Sequence, residues 1–406
     1  MDKIKKYLEW VTTIAVACLS FILVSCGDGS HSSNIIKNTN IPADTTGMSS
    51  DAKSIIKKIY VGWNLGNTLE STGGETAWGN PATTQAIIDM VKKAGFNAVR
   101  IPCAWSSHLS DASTYAINRT WLLRVKRVVD YAINDGMYVI INIHKDQGWL
   151  EDNVTITNKV AVNAEQKALW TQIATYFRGY DEHLMFACCN EPSVSDAIGM
   201  GVLLSYEQTF INAVRATGGR NYYRNLIIQG PAADVDKTNT MMTTLPTDVV
   251  SNRMIAEVHY YTPWQFCGLT ADADWGNMCY YWGTYANQPN VNGINRNANW
   301  QGEDYMITEF AKVEAQFVNK GIPAIIGEFG ATRRTMGTTT DQAANDNSVA
   351  EFLEDVTKNA KNAGCAPFVW DDGGDFVLFN RTALTVRYPL FLQSIMEGAK
   401  IGSYPF

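Results

Sequence analysis

Asp135-Gly136-Met137-Tyr138-Val139-Ile140-Ile141 runs directly into Asn142-Ile143-His144, and the fold is read outward from this stretch. A glycine stops a helix at its C-terminal end, and an apolar run follows that does not alternate with polar residues. Continuous apolarity marks a parallel strand covered by helices rather than one with a wet face. The same form returns at Ala94-Gly95-Phe96-Asn97-Ala98-Val99-Arg100, at Lys320-Gly321-Ile322-Pro323-Ala324-Ile325-Ile326 and at Ala363-Gly364-Cys365-Ala366-Pro367-Phe368-Val369. Helical periodicity precedes two of them: Trp121, Leu122, Val125, Val128, Val129 and Ala132 share one face, as do Val349, Phe352, Leu353, Val356, Ala360 and Ala363. Strands are expected near 59–64, 98–101, 138–143, 184–189, 226–229, 254–258, 324–327 and 366–370. Eight such units in roughly 350 residues predict a (β/α)8 TIM barrel over residues 51–406 as a single domain. A doubly wound open sheet is the rival, but no GxGxxG follows the first strand and no phosphate-binding loop occurs.

Composition removes other classes. The chain has 406 residues, 46% hydrophobic and 18% charged, which excludes intrinsic disorder. A net charge of −7 repels phosphate backbones, so no nucleic acid is expected as a partner. Five histidines with no HExxH and no CxxC make a His- or Cys-based metal site improbable. The chemistry falls to carboxylates and to an aromatic load of 12 Trp, 18 Tyr and 15 Phe, which fits flat ligands.

In a barrel of this kind reactive residues stand where strands run out. Those places hold Arg100, His144, Asn190-Glu191, His259 with Tyr261, Glu328 and Trp370. One of them could be a solvated loop residue; six strand ends together point to a site. Glu191 and Glu328 would face each other across the barrel mouth, and carboxyl groups about 5 to 5.5 Å apart are what a retaining glycosidase needs.

The motifs Gly62-Trp63-Asn64-Leu65-Gly66-Asn67, Asn97-Ala98-Val99-Arg100-Ile101-Pro102, Asn142-Ile143-His144, Asn190-Glu191-Pro192, His259-Tyr260-Tyr261 and Ile326-Gly327-Glu328-Phe329-Gly330 resemble glycoside hydrolase family 5, the cellulase family, from about residue 55 to the end. The opening motif, with Thr76-Ala77-Trp78-Gly79-Asn80-Pro81, resembles subfamily 4, whose members cut β-1,4-glucans, mixed-linkage glucan and xyloglucan. The resemblance implies Glu191 as acid/base, with surroundings that raise its pKa, and Glu328 as nucleophile, kept ionised by Arg100 and Tyr261. It implies Asn190 on the sugar 2-hydroxyl, His144 and His259 completing a polar floor, and Trp370 stacking under the sugar at the cleavage point. Asn64, Trp149 and Trp264 are further expected substrate contacts. No metal and no organic cofactor are implied. Lys145 stands where many relatives have a second histidine, which alters the expected contact to the neighbouring sugar. The stretch holding Trp264, Phe266, Trp275, Tyr280, Tyr281, Trp282, Tyr285 and Trp300 is long enough to be a functional loop; it either walls the cleft or packs as a lid.

The N-terminus reads as an address. Lys3, Lys5 and Lys6 precede an uncharged stretch from Trp10 to Ser25, too short for a membrane span. Residues 1–25 are thus expected to be a signal peptide ending in Leu23-Val24-Ser25-Cys26-Gly27, which resembles a bacterial lipobox with Cys26 lipidated. Residues 26–50, rich in Ser, Asn, Thr and Gly, are expected to be a flexible tether. A monomer held by a lipid anchor in the bacterial cell envelope follows, with β-linked polysaccharide or oligosaccharide as partner. Of the remaining cysteines only Cys267 and Cys279 share a loop, and a disulfide between them is left open. The function expected is retaining endo-cleavage of β-1,4-glucan backbones. Xyloglucanase or β-mannanase action on the same scaffold is the alternative, as is a non-catalytic glycan-binding lipoprotein.

Overall fold

The structure, a computed structural model, describes residues 36, 38 and 41–406. Eight parallel strands close into a barrel: β1 (Gly62–Asn64), β2 (Ala98–Ile101), β3 (Tyr138–Asn142), β4 (Leu184–Ala187), β5 (Leu226–Gln229), β6 (Met254–Tyr260), β7 (Ala324–Phe329) and β8 (Cys365–Val369). Each pairs in parallel with the next, and β8 closes on β1. The helices that follow them are α1 (Gln85–Lys93), α2 (Arg119–Asn134), α3 (Lys159–Phe177), α4 (Ala197–Arg215), α5 (Val235–Met241), α6 (Glu303–Gln316), α7 (Thr339–Asn362) and α8 (Pro389–Ile401). This is a (β/α)8 TIM barrel, and each expected strand position holds a strand.

Local chemistry explains the alternation. Side chains of Thr84, Asn118, Asp196, Asp234 and Thr338 accept from backbone N–H groups at the starts of α1, α2, α4, α5 and α7, satisfying donors that a helix leaves unpaired. The four glycine stops read from the sequence all adopt positive φ, for example 67° at Gly136 and 78° at Gly364, where a side chain would be strained. On α2 the buried residues are the six picked out by periodicity.

Inside the barrel two layers stand on each other. The lower is apolar, with Ala98, Ile140, Ile227, Ile255, Ile325, Ala366 and Phe368 closed from beneath by Ile55, Ile56 and Ile59 around the short helix Ala52–Lys58. Two residues further along the strands, on the same inward parity, the fully buried side chains become Arg100, Asn142, Gln229 and Glu257. A polar layer therefore caps an apolar plug. β7 departs from strict alternation: its pairing shifts register between Val258 and His259 on β6, and again against β8 between Ile326 and Phe329. This bulge sets Glu328 opposite His259 and turns its side chain into the mouth, where an unbroken strand would point it outward.

Residues 41–50, expected within the tether, instead lie on the barrel. Ile41–Ala43 pairs in parallel with Gly218–Gly219, Met48 is buried, and Glu182 accepts from the Ser50 backbone N–H at 2.7 Å and its hydroxyl at 2.5 Å. The polar composition hid Met48, whose burial anchors the segment. The signal peptide and Cys26 lie outside the described residues. Among the described residues, no helix is long and apolar enough to cross a membrane. Cys103, Cys188, Cys189, Cys267, Cys279 and Cys365 are all free, buried thiols, so the loop pair is not bridged.

Candidate active site

Arg100, at the end of β2, organises the floor of the mouth. Its Nη1 donates to Glu328 Oε1 at 2.7 Å and to Asn64 Oδ1 at 3.0 Å, its Nη2 donates to Asn190 Oδ1 at 2.7 Å, and its Nε lies 2.9 Å from Glu257 Oε1. Tyr261 donates its hydroxyl to the other Glu328 oxygen at 3.1 Å. His259 Nδ1 is 2.7 Å from Glu191 Oε1 and 3.7 Å from Glu328 Oε2, while its Nε2 is 3.3 Å from Glu257 Oε1. An oxygen of Glu191, an oxygen of Glu328 and a nitrogen of His259 all lie within 4.8 Å of one another. Such a trio has ligand-type atoms, but both His259 nitrogens are engaged by carboxylates, which suits a proton-bearing ring rather than a metal ligand.

The two carboxylates differ in exposure and in partners. The Glu191 side chain is 42% exposed and that of Glu328 7%. Burial works to strip the His259 ring of its proton, but the charge of Glu328 and hydrogen bonds to Glu191 and Glu257 win, and its pKa is pushed up to about 10. Burial also raises the Glu191 carboxyl, yet the hydrogen bond and charge of His259, with Arg100, more than offset it and hold it below its ordinary value. Glu328 sits above its ordinary value, because burial outweighs the His259 and Arg100 charges. The order is thus the reverse of the sequence expectation. The reason is His259, whose positive ring sits at hydrogen-bond distance from Glu191 and farther from Glu328.

Around this centre the other expected residues fall as follows. His144 follows β3 and stacks on Trp370, ring centroids 5.9 Å apart at 10°. Burial, then the charges of Arg100 and His259, push the His144 pKa well below the usual range, so the ring is neutral. Trp370 is half-buried just past β8, against Gly66. Trp264 is 45% exposed and meets Tyr261 edge-on, a free platform beside the mouth. One expected sugar contact is corrected. Asn64 is fully buried, its amide donating to the carbonyls of Gly327, Phe368 and Val369, so it orients Arg100 instead of touching ligand. Trp149 is half-buried, as Trp370 is, with one side packed on the core, and Trp264 is the more open of the two expected platforms. Lys145 is exposed and paired to Asp152 at 3.1 Å. The aromatic loop divides: Phe266 and Trp282 pack on Phe352 of α7, whereas Trp275 and Trp300 are exposed.

Three buried acids were not picked out from the sequence. Glu257 and Gln229 lie in otherwise apolar strands, and an acid two residues before His259 in such a strand was the available signal. Glu151 accepts from the Glu191 backbone N–H at 3.0 Å, and burial pushes its carboxyl up to about 7. Asp371 accepts from Trp63 Nε1 at 3.0 Å and fixes the loop that carries Trp370.

Comparisons with known proteins agree with this geometry. The sequence pattern of Cellulase (glycosyl hydrolase family 5) matches residues 64–374. Endoglucanase A of Paenibacillus barcinonensis is 34% identical over 378 residues, covering 86% of this chain and 90% of that protein. The Bacteroides ovatus GH5 xyloglucanase in complex with a XXXG heptasaccharide superimposes with a TM-score of 0.82 at 35% identity, over 89% of this chain and 79% of that one. A GH5-4 broad specificity endoglucanase from Ruminococcus champanellensis with bound cellotriose gives a TM-score of 0.73 at 35% identity, over 86% and 98%. With a barrel whose strand ends converge on two carboxylates, and with these relatives along most of its length, the chain belongs to glycosyl hydrolase family 5, the cellulase family.

Proposed function

We propose that this chain is a retaining endo-β-1,4-glucanase, with Glu328 as nucleophile and Glu191 as acid/base. The observation that carries the reading is the approach of the two carboxylates within 4.8 Å, too close to admit the water that an inverting enzyme places between its pair. Glu328 attacks the anomeric carbon while Glu191 gives its proton to the departing glycosidic oxygen, leaving a glycosyl ester on Glu328. Glu191 then takes a proton from water, the water oxygen bonds to the anomeric carbon from the side the leaving group occupied, and Glu328 is released. Two inversions give net retention.

Sugar binding supplies the proton order that the reaction needs. Glu191 is the more exposed acid, so a glycan covering it removes more water from it than from the already dry Glu328. Its carboxyl rises accordingly, and the His259 proton passes to it along their hydrogen bond. Arg100 and Tyr261 stay on Glu328 and keep it anionic. Asn190, held by Arg100, is placed for the sugar 2-hydroxyl, and Trp370 with Trp264 offers apolar faces to pyranose rings.

Xyloglucan is a second reading with its own support, since at equal identity the chain superimposes more closely on the xyloglucanase than on the broad-specificity enzyme. Reducing-end release from carboxymethylcellulose, mixed-linkage β-glucan, xyloglucan and glucomannan separates the readings. Release from the first two at rates equal to or above xyloglucan is expected; release from xyloglucan alone would replace the first reading by the second, and no release would overturn both. Lipidation at Cys26 is part of the same proposal, supported by the lipobox pattern, and places the enzyme on a bacterial envelope membrane. Cys26→Ala is expected to move the protein from the membrane fraction to the soluble one; retention in the membrane would refute the anchor.

A further inference from the structure

We propose that Glu257 is a positioning residue for this reaction, a third carboxylate beneath the pair that fixes His259 under Glu191 and Arg100 under Glu328; the inference rests on the roles given above to Glu191 and Glu328. Glu257 is fully buried on β6. Its Oε1 is shared between Arg100 Nε at 2.9 Å and His259 Nε2 at 3.3 Å, and its Oε2 accepts from Gln229 Nε2 at 2.5 Å. Gln229 is itself held, its Oε1 accepting from the Cys189 backbone N–H at 3.1 Å. One acid thus reaches both cations of the site from below while each cation reaches a different acid from above.

Gly327 shows how closely this is built. A Cβ at Gly327 would lie 2.0 Å from Glu257 Oε1, and Gly327 is not among the glycines with positive φ. The glycine in Ile326-Gly327-Glu328 is therefore required for the room it leaves Glu257 rather than for its backbone. The residue before Glu328 and the residue two before His259 interlock.

The chemistry follows from the hydrogen bonds. With its Nε2–H committed to Glu257, the His259 ring presents Nδ1 to Glu191 in both proton states. As imidazolium it donates to the Glu191 carboxylate; as neutral imidazole it accepts from the Glu191 carboxylic acid. One proton moves along this bond, nothing else is gained or lost, and Glu191 is loaded for the first step by His259, while the attacking water reloads it in the second. The charged groups facing the ring are Glu257 on its own strand, Glu191 after β4, Glu328 on β7 and Arg100 on β2; Gln229, Tyr261 and the neutral His144 complete the surroundings. Removing the Glu257 charge lowers the affinity of the His259–Glu191 pair for its proton.

Glu257→Gln in the full chain keeps size and an acceptor oxygen while deleting the charge. The alkaline limb of kcat/KM is expected to fall by about one pH unit or more, and kcat on β-glucan by about tenfold or more, with KM changed by less than about twofold. An aryl β-cellobioside with a good leaving group, which needs little protonation, is expected to lose less. A folded variant with the limb and kcat unmoved would overturn the inference. Should the variant not fold, nitrogen-15 NMR of the unaltered protein decides: a His259 protonated on both nitrogens at pH 7 supports the inference, and an unprotonated Nε2 overturns it. An unaltered protein without glycan hydrolysis would overturn the roles of Glu191 and Glu328 themselves, a failure the NMR spectrum separates because it reads the Glu257–His259 bond without turnover.

Discussion

Glu328→Ala is expected to lower β-glucan hydrolysis by a factor on the order of 10⁴ or more, equivalent to about 5 kcal/mol of lost transition-state stabilisation. Without the carboxylate no glycosyl ester forms, and the remaining floor can only bind and orient. The fold is expected to survive, because Arg100 keeps its ion pair with Glu257 and its bonds to Asn64 and Asn190. Added azide or formate can enter the vacated space and attack from the same side, restoring turnover with a product of opposite anomeric configuration. Thermal denaturation with steady-state rates checks this: a folded variant within about tenfold of the parent would remove Glu328 from the nucleophile role.

Glu191→Ala is expected to cost roughly 10²–10⁴ in kcat/KM on polysaccharide, the range supplied by general acid catalysis. The loss is expected to depend on the leaving group. A sugar leaves as a poor alkoxide unless protonated, whereas an activated phenolate leaves unaided, so the variant cleaves an activated aryl glycoside far faster relative to the parent than it cleaves glucan. Equal losses on both substrates would mean that Glu191 does something other than deliver a proton. The comparison with Glu257→Gln is informative, since that variant acts on the same proton through His259 and spares the Glu191 carboxyl.

Much of this arrangement was legible in the sequence, and for a physical reason. A closed parallel barrel needs apolar strands, each preceded by a helix that must end, so Gly136 and Gly364 mark boundaries that periodicity alone would blur. Polar groups at or just past the C-terminal end of an apolar strand stand out, as Arg100, His144, Glu191 and His259 do. The inward turn of Glu328 was not legible from period, because it depends on the β7 bulge, which shifts parity by one residue.

Other features depend on three-dimensional neighbours. Asn64 belongs to a motif that faces the mouth, yet one residue of depth makes it a ligand of Arg100 instead of a sugar contact. The proton order of Glu191 and Glu328 depends on which carboxylate His259 touches, a distance no spacing reveals. Glu257 was passed over because an acid within a strand reads as a core exception, and only the shared bonds to Arg100 and His259 show its place. Residues 41–50 looked like tether because Met48 is a lone apolar residue among polar neighbours, and both its burial and the pairing of Ile41 with Gly218 are tertiary.

The central claim is double displacement through Glu328, and the anomeric configuration of the first product tests it most directly. Proton NMR early in the hydrolysis of a soluble β-1,4-gluco-oligosaccharide, before mutarotation mixes the anomers, reads that configuration from the new reducing end. The account predicts the β anomer, from two inversions at one carbon between carboxylates within 4.8 Å. An α anomer as first product would mean a single displacement by water, and would contradict it.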